Sequence, residues 1–181
     1  MTYDGTNWVN VGNAGFSTSV ANFTSLVFSP SDSQPYVAFQ DWQTSSGSAT
    51  VMKFDGINWV NVGNDRFSAG QAAFISLAFS PSGQPYVGFI DSHTNPPYKA
   101  TVMKFDGANW VNVGNEGFSA GYVGSTSLAF SQSGQPYIAY EDGGNSGKAT
   151  VMKFDGTNWV DLGNEGFSDS TAYSTCLAIS Q

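Results

Sequence analysis

Along this chain, apolar residues alternate with small or polar ones over short stretches that stop at Gly, Pro, Asn or Asp. Ile75 to Ser80 places Leu77 and Phe79 two apart with a small residue between them, and Thr24 to Ser29, Thr126 to Ser131 and Thr175 to Ser180 follow the same plan. A period of two marks a strand. After a turn such as Pro81 to Pro85, a second strand is predicted over Tyr36 to Asp41, Tyr86 to Asp91 and Tyr137 to Asp142, ending on Asp each time. A third is predicted over Ala49 to Phe54, Ala100 to Phe105 and Ala149 to Phe154. It leads through an Asp-Gly turn, a strong hairpin signal, into a fourth strand from Asn58 to Val62 and its copies. No long stretch has helical periodicity, so the chain is predicted to be all-β.

The four-strand unit recurs. Trp8, Trp59, Trp110 and Trp159 lie in copies of Asp-Gly-x-Asn-Trp-Val spaced by 51, 51 and 49 residues. The variation is confined to one loop, Trp42 to Ser48, Ser92 to Lys99 and Gly143 to Lys148, and a loop that absorbs insertions lies on the surface. The repeats run approximately over 1–48, 49–99, 100–148 and 149–181, the last truncated, within one repeat domain spanning 1–181. Radial blades about an axis and a linear stack of small sheets both suit such a unit, and a four-stranded meander is the blade of a β-propeller. The expectation is three complete blades plus partial terminal ones, with the first strand innermost and the Trp-bearing fourth outermost. Leu26, Leu77, Leu128, Phe28, Phe79 and Phe130 are expected in the inter-blade core.

In strand order the chain opens on the tail of a third strand (Met1 to Tyr3) and a fourth (Asn7 to Val11), and it stops at Gln181 after one further first strand. Partial blades leave unpaired edges and a gap in the core. Two chains joined head to tail would share them. A homo-oligomer is therefore expected, a dimer completing a ring, and a fragment of a longer chain is the alternative.

Composition narrows the partners. Charged residues make up only 11% of the chain, and 6 basic against 14 acidic side chains leave a net charge of −8, which repels a phosphate backbone. Nucleic acid is not an expected partner. The longest apolar run falls far short of the roughly 18 residues a bilayer span needs, so no membrane insertion is expected, and no signal-peptide pattern opens the chain. The Ser/Thr/Asn-rich, Lys-poor composition leans towards an extracellular or cell-surface protein. Cys176 occupies the slot held by Ser25, Ser76 and Ser127 in the other copies, which reads as a serine replacement rather than a catalytic or redox thiol.

The run Phe154-Asp155-Gly156-Thr157-Asn158-Trp159, followed by Val160-Asp161-Leu162-Gly163, resembles the part of a kelch repeat in which an aromatic-Asp turn leads to a Trp on the outer strand. The kelch Gly-Gly after the second strand is present only as Gly143-Gly144; Trp42 and Ser92 stand in the other copies. The turn also resembles an Asp-box with one residue missing between Asp and Gly. The whole unit is similar to the Gly/Asn/Trp-rich propeller repeats of bacterial and archaeal surface proteins. That resemblance implies an extracellular binding or adhesive role and carries over no catalytic residues.

Candidate chemistry is sparse. Asp41, Asp91 and Asp142 would form an arc on one rim, either binding hydroxyls or a cation or capping tight turns through backbone N–H groups. Asp55, Asp106 and Asp155 belong to the hairpin turn. Trp8, Trp59, Trp110 and Trp159, each with a neighbouring Asn, either stack on sugar faces or pack between blades with the indole N–H paired. Trp42 belongs to no repeat position and is predicted to be an exposed contact residue whose replacement by Ala barely changes stability. His93, the sole histidine, reads as a solvated loop residue. No phosphate loop, zinc spacing or calcium loop is present, so no catalytic residue, metal or cofactor is expected. The sequence points to a non-enzymatic, lectin-like binding module for glycans with several equivalent shallow sites, whose avidity grows on a multivalent surface. The alternative is a structural or adhesive array that mediates protein contacts and self-assembly.

Overall fold

A computed structural model describes residues 1–180, so Gln181, the last position of the fourth repeat, lies outside the described residues. A short hairpin of β1 (Thr2–Tyr3) and β2 (Trp8–Val9) precedes three four-stranded antiparallel meanders. The first blade is β3 (Ala21–Phe28), β4 (Pro35–Asp41), β5 (Ser48–Phe54) and β6 (Trp59–Asn61). The second is β7 (Ala72–Phe79), β8 (Pro85–Asp91), β9 (Lys99–Phe105) and β10 (Trp110–Asn112). The third is β11 (Val123–Phe130), β12 (Pro136–Asp142), β13 (Lys148–Phe154) and β14 (Trp159–Asp161), with a 3-10 turn at Gly143–Asn145. Strand β3 lies against β7 and β7 against β11, so the first strands line up around a common centre and the chain is a propeller-type array of blades.

Serines mark these inner junctions. Leu77 N donates to Ser25 Oγ (3.0 Å), Leu128 N to Ser76 Oγ (2.9 Å) and Leu177 N to Ser127 Oγ (2.9 Å). A small hydroxyl at this place lets successive inner strands approach closely and satisfies a backbone donor that the sheet leaves free.

The hairpin turn is a four-residue loop rather than a bare Asp-Gly pair, because Phe105 pairs with Trp110 across it. Asp106 Oδ1 accepts from Ala108 N (2.8 Å) and Asn109 N (2.7 Å), and Gly107 takes the left-handed φ of +106° that the loop requires. The first strands start three residues earlier than the alternation predicts. A bulge shifts the register between Asn22 and Ser25 and between Ala73 and Ser76, with Phe23 and Phe74 at positive φ, and a bulge erases the period of two.

Two expectations are corrected. Thr175 to Ser180 does not form a strand: it runs beside β11 through Leu177, but among the described residues no second strand pairs with it. Leu26 and Phe28 are not in the core. They are 57% and 62% exposed, whereas Leu77 and Leu128 at the equivalent place are 3% and 6% exposed. Leu77 shares a buried apolar cluster with Tyr36 and Ala38 of the preceding blade, and no complete blade precedes β3. Phe79 and Phe130 are half-buried and meet Tyr36 and Tyr86 edge to face, at centroid distances of 4.9 and 4.8 Å.

Candidate functional site

The second strands bring Asp41, Asp91 and Asp142 to one rim, as expected, but all three side chains are buried. Asp142 Oδ1 accepts from Gly144 N (2.9 Å), while its Oδ2 accepts from Thr150 Oγ1 (2.8 Å) and Asn145 Nδ2 (2.9 Å). Asp91 takes His93 N (2.8 Å) and Thr101 Oγ1 (3.3 Å), and Asp41 takes Gln43 N (2.9 Å) and Thr50 Oγ1 (3.3 Å). The three threonine oxygens in turn accept Arg66 N, Gly117 N and Gly166 N from the blade connectors. Each carboxylate therefore ties the rim loop of its own blade to the strand that follows. This is the turn-capping role, one of the two that the sequence left open.

Asp106 of the hairpin turn and Asp91 of the rim titrate in opposite directions. The backbone N–H groups of Asn109 and Ala108 hold the Asp106 carboxyl below its usual value, whereas burial pushes Asp91 up, partly opposed by the His93 N–H. A depressed group adds stability above the ordinary carboxylate range and loses it as pH falls through the lowered value. A raised group contributes below the ordinary value, and that contribution is lost as pH rises through the raised one. Carbon-13 NMR titration of the carboxyls is expected to place Asp106 below a free aspartate and Asp91 above it; the reverse order would contradict the hydrogen bonding described.

The repeat tryptophans bridge neighbouring blades. Trp110 Nε1 donates to Val62 O (2.7 Å), Trp159 to Val113 O (2.8 Å) and Trp59 to Val11 O (2.8 Å). Their rings stack on Phe67, Phe118 and Phe16 of the connectors at 4.4, 4.7 and 4.4 Å. Trp110 and Trp159 are buried, Trp59 is half-buried, and Trp8 is exposed. Trp42, expected to be free, is half-buried: it lies over Gly47 and donates from Nε1 to Gln40 Oε1 (2.7 Å), a side chain that is itself buried.

The rim between the second and third blades opens into a groove of about 350 Å³. Phe74, Ile90, Tyr98 and Tyr122 form its apolar walls, Gln71 and Ser92 supply polar groups, and no charged side chain lines it. Tyr98 and Tyr122 are exposed. Tyr98 sits at positive φ in the variable loop, held where its N–H donates to Asp91 O (2.8 Å) and its carbonyl accepts from Val123 N (2.8 Å). Tyr122 lies in the connector that enters β11, its ring so close to Gly143 that a Cβ there would stand 2.2 Å from it. Sequence reasoning missed both tyrosines because it followed the repeated positions. The available signal was the reverse, aromatic residues that break the repeat.

The same place between the first two blades carries Gln40, Trp42 and Gly47 where the groove has Ile90, Ser92 and Tyr98. At that place the Trp42 ring lies over Gly47 and Gln40 is buried, so the equivalent positions are filled differently.

No protein-family model matches this sequence, and no curated protein matches it. Among solved structures the chain is similar to a fucose lectin from Kordia zhangzhouensis in complex with methyl-fucoside. The TM-score is 0.52 at 16% sequence identity, over 78% of this chain and 99% of that chain. At that identity the likeness is one of fold, and it agrees with an all-β array of four-stranded blades. Among the described residues no helix is long and apolar enough to cross a membrane.

Proposed function

We propose that this chain is a non-enzymatic, lectin-like module that binds neutral glycans at its inter-blade rim, with the groove between the second and third blades as its best-formed site. The observation that carries this is that exposed Tyr98 and Tyr122 both line a groove without charged side chains. Aromatic faces stack on the apolar face of a sugar, and Gln71 and Ser92 are placed to meet its hydroxyls. A deoxy sugar suits such walls, and the fold-level likeness to a lectin solved with methyl-fucoside points the same way. Trp42 marks the corresponding place one blade earlier, while the buried aspartates act as supports of the rim. Shallow sites of this kind gain strength on a multivalent surface, which suits a secreted or surface protein.

A glycan array read with and without calcium, followed by titration of the best hit, tests this reading. Tyr98→Ala and Tyr122→Ala are each expected to weaken binding about tenfold or more, with little change in thermal stability. Gly143→Ala is expected to weaken it as well, by displacing the Tyr122 ring. Retention of full affinity in both tyrosine variants would overturn the assignment of the groove.

A second reading, a self-assembling array, is favoured by a separate observation. The first blade exposes Leu26 and Phe28, side chains of the kind that the other blades cover.

A further inference from the structure

We propose that the rim opposite the tyrosine groove carries a second, repeated set of ligand sites, each taking an uncharged, fully hydroxylated sugar between a lysine and a turn aspartate of adjacent blades. The larger lies between the second and third blades. There the turn Ser133 to Pro136, the turn Phe154 to Gly156, and Tyr86, Lys104 and Val113 line a cavity of about 310 Å³. Both blades are complete, so internal strands bound it on each side. It sits at the Pro136 end of β12, whereas the groove sits at the Asp91 end of β8, and the two share no lining residue. The proposed site goes beyond the groove reading and does not rest on it.

The cavity follows from the repeat. The equivalent turns one blade earlier, Ser82 to Pro85 and Phe105 to Gly107, line another of about 290 Å³. Lys53 stands one repeat before Lys104, and Lys153 one repeat after it. Cross-strand pairing sets Lys53 opposite Tyr36, Lys104 opposite Tyr86 and Lys153 opposite Tyr137, and Lys53 Nζ lies 5.9 Å from the Tyr36 ring centroid. This one position takes half of the 6 basic side chains in the sequence. Folding does not account for them: all three lysines are half-buried, and the ion pairs among the described residues involve only Arg66. A half-buried ammonium without a carboxylate partner costs desolvation and returns no ion pair, so its recurrence points to a ligand.

The aspartate comes from the other blade. Asp155 Oδ1 accepts from Thr157 N and Asn158 N, both at 2.8 Å, which fixes the carboxylate; among the described residues no donor meets its Oδ2. Gln135 braces the wall, its Nε2 donating to Phe154 O (3.1 Å) and its Oε1 accepting from Tyr137 Oη (2.9 Å), and Gln84 Nε2 likewise donates to Phe105 O (2.9 Å). Lys104 and Asp155 therefore line one cavity without forming an ion pair. A cationic ligand would meet Lys104 and an anionic one Asp155. The class that both charges tolerate is uncharged and carries donors and acceptors side by side, as adjacent sugar hydroxyls do: one oxygen accepts from the ammonium while its neighbour donates to the carboxylate. Tyr86 and Phe154 supply apolar surface for the C–H face of the ring.

Amide NMR shifts of Gly134 and Gly156 in the whole chain, titrated with the methyl glycosides of galactose, mannose and glucose and with methyl glucuronide at millimolar concentration, provide the test. At least one neutral glycoside is expected to shift both amides, and the glucuronide neither. Lys104→Met keeps the apolar stem and removes the charge, and should weaken that binding about tenfold or more, as loss of a hydrogen bond to a charged group does. Shifts at Gly83 and Gly107, which Lys53 serves, should persist in the same variant, which separates loss of the site from misfolding. Asp155→Asn keeps the turn cap and should admit the glucuronide, because Lys104 is then unopposed. No shift with any neutral glycoside, or shifts that survive Lys104→Met at full strength, would overturn the site. Shifts with the glucuronide alone in the wild-type protein would overturn the ligand class. Each of these outcomes leaves the groove reading to its own test at Tyr98 and Tyr122.

Discussion

Replacing Trp110 with Ala is expected to cost about 3–5 kcal/mol, the range for removing a large aromatic from a packed interior. The indole is buried between two blades, stacked on Phe67 and tilted against Phe105 at 5.7 Å, and its N–H satisfies the Val62 carbonyl. Ala would leave a cavity at the junction and an acceptor without its donor. Because the ring belongs to one blade and its partners partly to another, the loss loosens the array as a whole. Chemical denaturation should show a lower midpoint with a single transition. Trp59→Ala should cost less, since Trp59 is only half-buried. Trp42→Ala, which sequence reasoning takes as almost neutral, should instead cost about 1–2 kcal/mol, because it removes the donor to buried Gln40. Equal midpoints for Trp110→Ala and the wild-type protein would mean that the indole does not hold the blades together.

Asp142→Ala is expected to have the next largest effect, about 3 kcal/mol, from donors left inside without an acceptor. The groups affected are Gly144 N, Thr150 Oγ1 and Asn145 Nδ2. Thr150 Oγ1 also accepts from Gly166 N at 2.8 Å, so the disturbance reaches the connector that follows the third blade. Asp142→Asn should fall between, since its amide oxygen can serve one donor but its NH₂ cannot accept from the others. Denaturant midpoints of the two variants, with amide exchange at Gly144 and Gly166, give the test. Unchanged protection at both amides in Asp142→Ala would show that the carboxylate does not organise the rim.

Strand type, strand order and the repeat were legible in the residues themselves. Alternation over Tyr86 to Asp91 or Ala100 to Phe105 encodes the pleat, and the Asp106-Gly107 loop encodes its own turn through the carboxylate and the left-handed glycine. These are local instructions, carried by dihedral preferences and by hydrogen bonds between residues two or three apart. Strand starts were less legible, because the bulges at Phe23 and Phe74 break the alternation at the place where the strand begins.

Burial was decided by the tertiary structure. Leu26 and Leu77 stand in nearly identical local sequences, yet one is exposed and the other buried, because only Leu77 has a complete blade laid against it. Trp8 and Trp110 differ for the same reason. The groove is likewise a product of assembly: Phe74, Tyr98 and Tyr122 come from an inner strand, a variable loop and a connector in two different blades. Periodicity reports which face of a strand is apolar, but what covers that face depends on how neighbouring blades pack. Residues that interrupt the repeat acquire a common surroundings only when those blades meet.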